Sequence, residues 1–112
     1  MKLPNHDQCL VPDAKLTLYL LSSSHEDGAA KARFFELFGF SRDRPDELRT
    51  ALIGHATMHE ITSARSTEFG HLYEIRGRLN SPDGRNPVVL VVWMILTNET
   101  QPRLVTAVPS RD

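Results

Sequence analysis

The chain has 112 residues, 40% hydrophobic and 24% charged, with 13 Lys and Arg against 14 Asp and Glu and a single cysteine. This length fits one domain around one core and excludes a multidomain enzyme. A net charge of −1 excludes a passive nucleic-acid coat held by many phosphate contacts, while leaving room for a local basic site.

The lone Cys9 cannot close an internal disulfide, so a reducing, cytoplasmic compartment is expected. The longest apolar run, Val88 to Leu96, is too short to span a bilayer, and no targeting segment is visible. No contact with a membrane is expected.

Pro12-Asp13 before AKLTLYLL predicts a first short helix, because Pro suits a first turn and Asp suits the positive end of the macrodipole. In SSSHEDGAAKARFFELFG, Ser24 and Asp27 form a capping-box pattern, Ala29, Ala32, Phe35 and Phe38 make an apolar stripe, and Gly39 supplies a stop; this predicts a second helix. A third is predicted from Arg44-Pro45-Asp46-Glu47 through LRTALIGHATMHE, with Leu48, Leu52 and Ala56 four apart and Gly54 weakening it.

After Glu60, β-branched and aromatic residues take over. ITSARSTEF and HLYEIRGRL read as strands, the second alternating Tyr73, Ile75 and Leu79 against Glu74, Arg76 and Arg78. The turn SPDGRN leads to VVLVVWMIL, an unbroken apolar run that predicts a central strand covered on both faces. TNETQP then turns the chain into RLVTAV, where Leu104, Thr106 and Val108 are expected to share the face that meets the helices. Pro109 ends pairing. Helices followed by an antiparallel meander define an α+β domain.

The densest polar segment is His25-Glu26-Asp27-Gly28-Ala29-Ala30-Lys31 at the predicted start of the second helix. Free N–H groups there can cradle a phosphate, with Gly28 allowing close approach. His25 can transfer protons near neutral pH, and Lys31 can stabilise charge on a phosphorane without a metal. The plainer reading is an exposed His25 and a Lys31 whose stem lies along Phe34 and Phe35. Thr106 can orient a substrate phosphate or simply pack in a strand. Arg76, Arg78 and Arg103 can grip an RNA backbone or keep a sheet face hydrated.

His55 and His59 stand four apart on the third predicted helix, a spacing that suits two ligands of one metal. Without an HExxH pattern or a cysteine pair, no metal is assigned. Trp93 lies within the apolar run and is expected in the core rather than stacked on a base.

Two segments, LVPDAKLTLYLLSSSHEDGAAKARFFELFGF and VVWMIL with PRLVTAVP, carry a family pattern. Pro12, Lys15, Leu16, Tyr19 and Leu21 are followed by His25, Gly28, Lys31, Ala32 and Phe35, then Trp93, and finally Leu104, Val105, Thr106 and Pro109. With these the chain resembles a small uncharacterised bacterial domain family. Through it, the chain resembles the C-terminal tRNase toxins of contact-dependent inhibition systems, which have the barnase/EndoU/colicin/RelE-like ribonuclease fold.

The resemblance implies that residues 1–112 form a single ribonuclease-toxin-like domain of barnase/RelE-like architecture, N-terminal helices packed on a twisted antiparallel sheet, that needs no cofactor. Its site would use His25 as general acid or base, Lys31 as electrostatic stabiliser and Thr106 as substrate positioner. Lys15 would contribute to substrate binding, joined by Gly28, Arg76, Arg78 and Arg103. Val108 departs from the pattern, which more often has an aromatic there.

The expected activity is metal-independent cleavage of tRNA or other RNA by attack of a ribose 2′-hydroxyl on phosphorus, and the expected protein partner is a cognate antitoxin or immunity protein. The alternative is a noncatalytic interaction module, an immunity or accessory protein of a toxin system, in keeping with the near-neutral charge.

Overall fold

A computed structural model describes residues 1–21 and 29–110. A 3-10 turn, His6–Gln8, precedes helix α1, which starts as Asp13–Lys15 and continues as a π-helical turn, Leu16–Leu20. Helices α2 (Ala29–Leu37) and α3 (Pro45–Met58) follow. Then come strands β1 (Ser63–Thr67), β2 (Gly70–Arg78), β3 (Val88–Leu96) and β4 (Arg103–Pro109). The sheet order is β1-β2-β3-β4, antiparallel throughout. The predicted α+β succession of helices and then a meander is therefore found. No described helix is long and apolar enough to cross a membrane.

The π-turn in α1 has a clear packing reason. Leu21 N–H donates to Leu16 O at 2.8 Å, five residues back, and this wider turn lets Leu16, Leu20 and Leu21 all reach the core, where each is at most 1% exposed. Lys15 and Tyr19 are left half-buried, the Tyr19 ring packing against the edge of that core.

Helix α2 stops where Gly39 predicts. Gly39 has φ 101°, its N–H donates to Glu36 O at 3.0 Å and that of Phe40 to Phe35 O at 3.1 Å, the bonds of a left-handed C-terminal cap. The Phe35 and Phe40 rings meet edge to face across this cap. The capping pair Ser24 and Asp27 lies outside the described residues. In α3, Leu48, Leu52 and Ala56 are fully buried, as their spacing predicts.

Two expectations about the sheet are corrected. Along β3, Val89, Val91, Trp93 and Ile95 are buried whereas Val88, Leu90, Val92, Met94 and Leu96 are only half-buried. The central strand is thus covered by helices on one face and not on both; an apolar run satisfies a one-sided sheet when its second face is sheltered by its own neighbours.

The second correction concerns β4. Leu104 pairs with Trp93 and Ala107 with Val91, so Val105 and Thr106 together stand opposite Val92, and the register shifts there. This is a β-bulge, and it breaks the alternation. Leu104 and Ala107 are the buried residues while Thr106 and Val108 are half-buried, so Leu104, Thr106 and Val108 do not form one core face.

β4 is an edge strand whose outer groups need partners. The N-terminal segment covers its first half: Leu10 N–H donates to Pro102 O at 2.8 Å, and Leu104 N–H donates to Leu10 O at 3.0 Å. Helix α1 covers the bulge.

Candidate functional site

Helix α1 is held over the bulge from both sides. Its leucines enter the core, and on the other side Arg49 of α3 donates to Val11 O at 3.1 Å while its guanidinium pairs with Asp13 and Asp46. Lys15 and Tyr19, one turn apart, consequently meet β4 at Val105 and Thr106. Lys15 Nζ donates to Val105 O at 3.1 Å, and Tyr19 Oη is hydrogen-bonded to Thr106 Oγ1 at 3.1 Å. Both strand contacts come from the two bulged residues. The bulge sets these two successive residues beside one partner, Val92.

Lys31 enters from α2. Its Nζ lies 5.2 Å from the centre of the Tyr19 ring, and Lys15 Nζ lies 5.4 Å from the same centre, within cation–π range. Burial acts to raise the Tyr19 phenol, but hydrogen bonds from Thr106 and Lys31 and the positive charges of Lys31 and Lys15 outweigh it and hold the phenol below its usual value. Lys15, Tyr19, Lys31 and Thr106 are all half-buried, so the cluster is both sheltered and reachable. Two ammonium groups, a phenol and a hydroxyl on three separate elements can bind an anionic group and exchange a proton with it.

Of the residues singled out in the sequence, Lys15, Lys31 and Thr106 are brought together. His25 and Gly28 lie outside the described residues. The exposed arginines do not join the cluster. Arg76 Nε donates to Ser110 Oγ at 2.8 Å, Arg78 Nη1 to Asn86 O at 2.9 Å and Arg103 Nη2 to Glu99 Oε1 at 3.0 Å. Tyr19 stands at the centre of the cluster without having been assigned a role from sequence. Its signal was its place four residues after Lys15, which puts both side chains on one helical face.

A second polar group lies at β2. His55 is 1% exposed, and its Nε2 bonds Gly77 O at 3.1 Å; His59 Nε2 bonds Arg78 O at 2.8 Å. A carbonyl only accepts, so each imidazole carries a hydrogen on Nε2. The rings meet edge to face, 4.7 Å between centres. Burial, and secondarily the charge of His59, push His55 down to about 4, against the carbonyls of Gly77 and Val89, which act to raise it. The described residues contain no group of three or more His, Cys, Asp or Glu side chains able to hold a metal ion. The pair fastens α3 to the sheet.

Trp93 is fully buried, as expected, and takes no part in either cluster. An open cleft of about 590 Å³ lies between α3 and the β2–β3 turn, lined by Phe40, Thr50, Ala51 and Pro82 among others and by no member of either cluster.

Among solved structures, the chain is similar to one in a contact-dependent growth inhibition toxin–immunity protein complex from Klebsiella pneumoniae 342, with a TM-score of 0.71 and 13% identity over 89% of this chain and 98% of that one. At that identity the likeness is one of fold. A search of curated proteins gave no match. The model of the family described as Domain of unknown function (DUF6883) matches residues 2–111, and the chain belongs to that family.

Proposed function

We propose that the protein is a metal-independent endoribonuclease of the toxin type, with the barnase/RelE-like architecture, acting on tRNA or other cellular RNA. The observation that carries this reading is the meeting of Lys15, Lys31, Tyr19 and Thr106 at the β4 bulge. A phosphodiester arrives with one negative charge and gains a second as its 2′-hydroxyl attacks phosphorus. Ammonium groups fixed in advance around that point stabilise the gained charge more than the original one, which is what lowers a barrier. Thr106 positions a phosphate oxygen, and His25 is the proton carrier assigned from the sequence pattern. The fold likeness to a chain of a toxin–immunity complex supports a toxin-system role, with a cognate immunity or antitoxin protein as partner. DNA, lacking the nucleophile, is not a substrate.

The test is incubation of purified protein with total tRNA in excess chelator, beside Lys31→Ala and His25→Ala variants of verified fold. Fragments ending in 2′,3′-cyclic phosphate, lost in both variants, are the expected outcome. Cleavage unchanged by either substitution removes those residues from the reaction.

A second reading is supported by the half-buried apolar face of β3, Val88, Leu90, Val92, Met94 and Leu96, and by the same likeness to a toxin–immunity complex. The chain would then be the immunity-type member, binding a nuclease instead of being one. Absence of any RNA cleavage, together with inhibition of a cognate toxin, distinguishes it.

A further inference from the structure

Resting on the ribonuclease reading, we propose that Tyr19 is the general acid of the cleavage: its Oη gives its proton to the 5′-oxygen as the phosphorus–oxygen bond breaks. The departing 5′-oxygen is an alkoxide, a strong base that leaves slowly unless it is protonated as it goes. The phenol is placed to do this by contacts from three elements: its ring packs on the core, its Oη holds Thr106 Oγ1 at 3.1 Å, and Lys15 of α1 and Lys31 of α2 flank its ring.

The two ammonium groups do for the tyrosine what they do for the phosphorane. Once the proton has gone, a phenolate remains, and positive charge on either side stabilises it, in keeping with the lowered phenol. Lys15, Lys31 and the neutral Thr106 are the charged and polar groups that the described elements turn toward it. In the reaction the 2′-oxygen bonds to phosphorus and passes its proton to His25, the proton carrier of the reading above, the bond to the 5′-oxygen breaks, and that oxygen takes the Tyr19 proton. Water restores the phenol after product release. No oxidant, reductant or co-reactant is required.

The experiment compares two short RNAs, one natural and one with the 5′-bridging oxygen replaced by sulfur, which leaves as a thiolate without needing a proton. Tyr19→Phe is expected to slow the natural substrate by about a hundred- to ten-thousandfold while cleaving the sulfur substrate close to the wild-type rate. Lys31→Ala is expected to be slow on both. If Tyr19→Phe is equally impaired on both substrates, or on neither, Tyr19 is not the acid, although the ribonuclease reading stands. If the wild type cleaves neither RNA, the ribonuclease reading itself falls. A second probe keeps the ring and the hydroxyl: 3-fluorotyrosine at position 19 acidifies the phenol. It is expected to move the alkaline limb of the rate profile to lower pH for the natural substrate and not for the sulfur one; an unmoved limb overturns the proposal.

Discussion

At β2, His55 of α3 and His59, the residue that follows the helix, direct both Nε2 hydrogens to carbonyls of successive residues. At β4, Lys15 and Tyr19 of α1 meet Lys31 of α2 beside a bulge. Both clusters use residues four apart in sequence, so spacing does not separate them; the backbone that receives them does. β2 is regular and presents Gly77, where an added Cβ would lie 2.6 Å from the His59 ring, so the imidazole rests flat against the strand and its hydrogen goes to the backbone. β4 is irregular and brings a carbonyl and a hydroxyl to the same side. At β2 the polar side chains close on backbone, whereas at β4 only Lys15 does so and the others gather around the Tyr19 ring and hydroxyl.

The comparison can be broken most sharply at Lys31. Lys31→Ala is expected to lower RNA cleavage by about a hundred- to a thousandfold, the usual cost of removing one stabiliser of developing charge, while changing unfolding stability by no more than about 0.5 kcal/mol. A stability loss comparable with the activity loss would make the β4 cluster structural like its counterpart.

The histidine side should behave in the opposite way. His55 is held neutral at about 4 against about 6.5 in the unfolded chain. The unfolded state therefore binds the proton first as pH falls, so the stability contributed by the neutral ring is complete above about pH 6.5 and is lost as pH drops to about 4, by about 3 kcal/mol. Urea unfolding across that range, compared with His55→Leu, should show the loss in the wild type and its absence in the variant. RNA cleavage by His55→Leu at neutral pH should remain.

Gly77→Ala tests the flat contact. The new methyl must displace the His59 ring, with an expected cost of about 1–3 kcal/mol, read as a lowered urea midpoint with little change in activity per folded molecule. Gly54→Ala is the control with the smallest effect and the opposite sign. Nothing lies within 4 Å of its added Cβ, so the helix should gain about 0.5–1 kcal/mol.

Sequence and structure agree where periodicity governs. Leu48, Leu52 and Ala56 fall on one buried line because α3 is a regular helix, and Gly39 ends α2 because a left-handed residue is needed there. At the candidate site, Lys15, Lys31 and Thr106 could be singled out in the sequence as candidates, but the reason they converge could not be read there. RLVTAV alternates cleanly on paper, and nothing in those six letters announces that Val105 and Thr106 stand opposite one residue; the shift is decided by how β4 docks on Val92 and Trp93. The π-turn is similar, although Leu16 and Leu21, five apart and both buried, leave a trace of it. Arg76, Arg78 and Arg103 were drawn in by charge alone, and charge does not fix where a long side chain ends.

The β4 bulge makes the site a matter of arithmetic. Removal of Val105 would restore one-to-one pairing with β3, yet it would leave Leu104 and Ala107 two steps apart, still able to face the core opposite Trp93 and Val91. The scaffold could then close over a strand without the Val105 carbonyl that Lys15 uses and with a changed approach to Tyr19. Within such a fold, gain or loss of a single codon, rather than any exchange of one side chain for another, is the shortest route between an inert domain and one that carries this cluster.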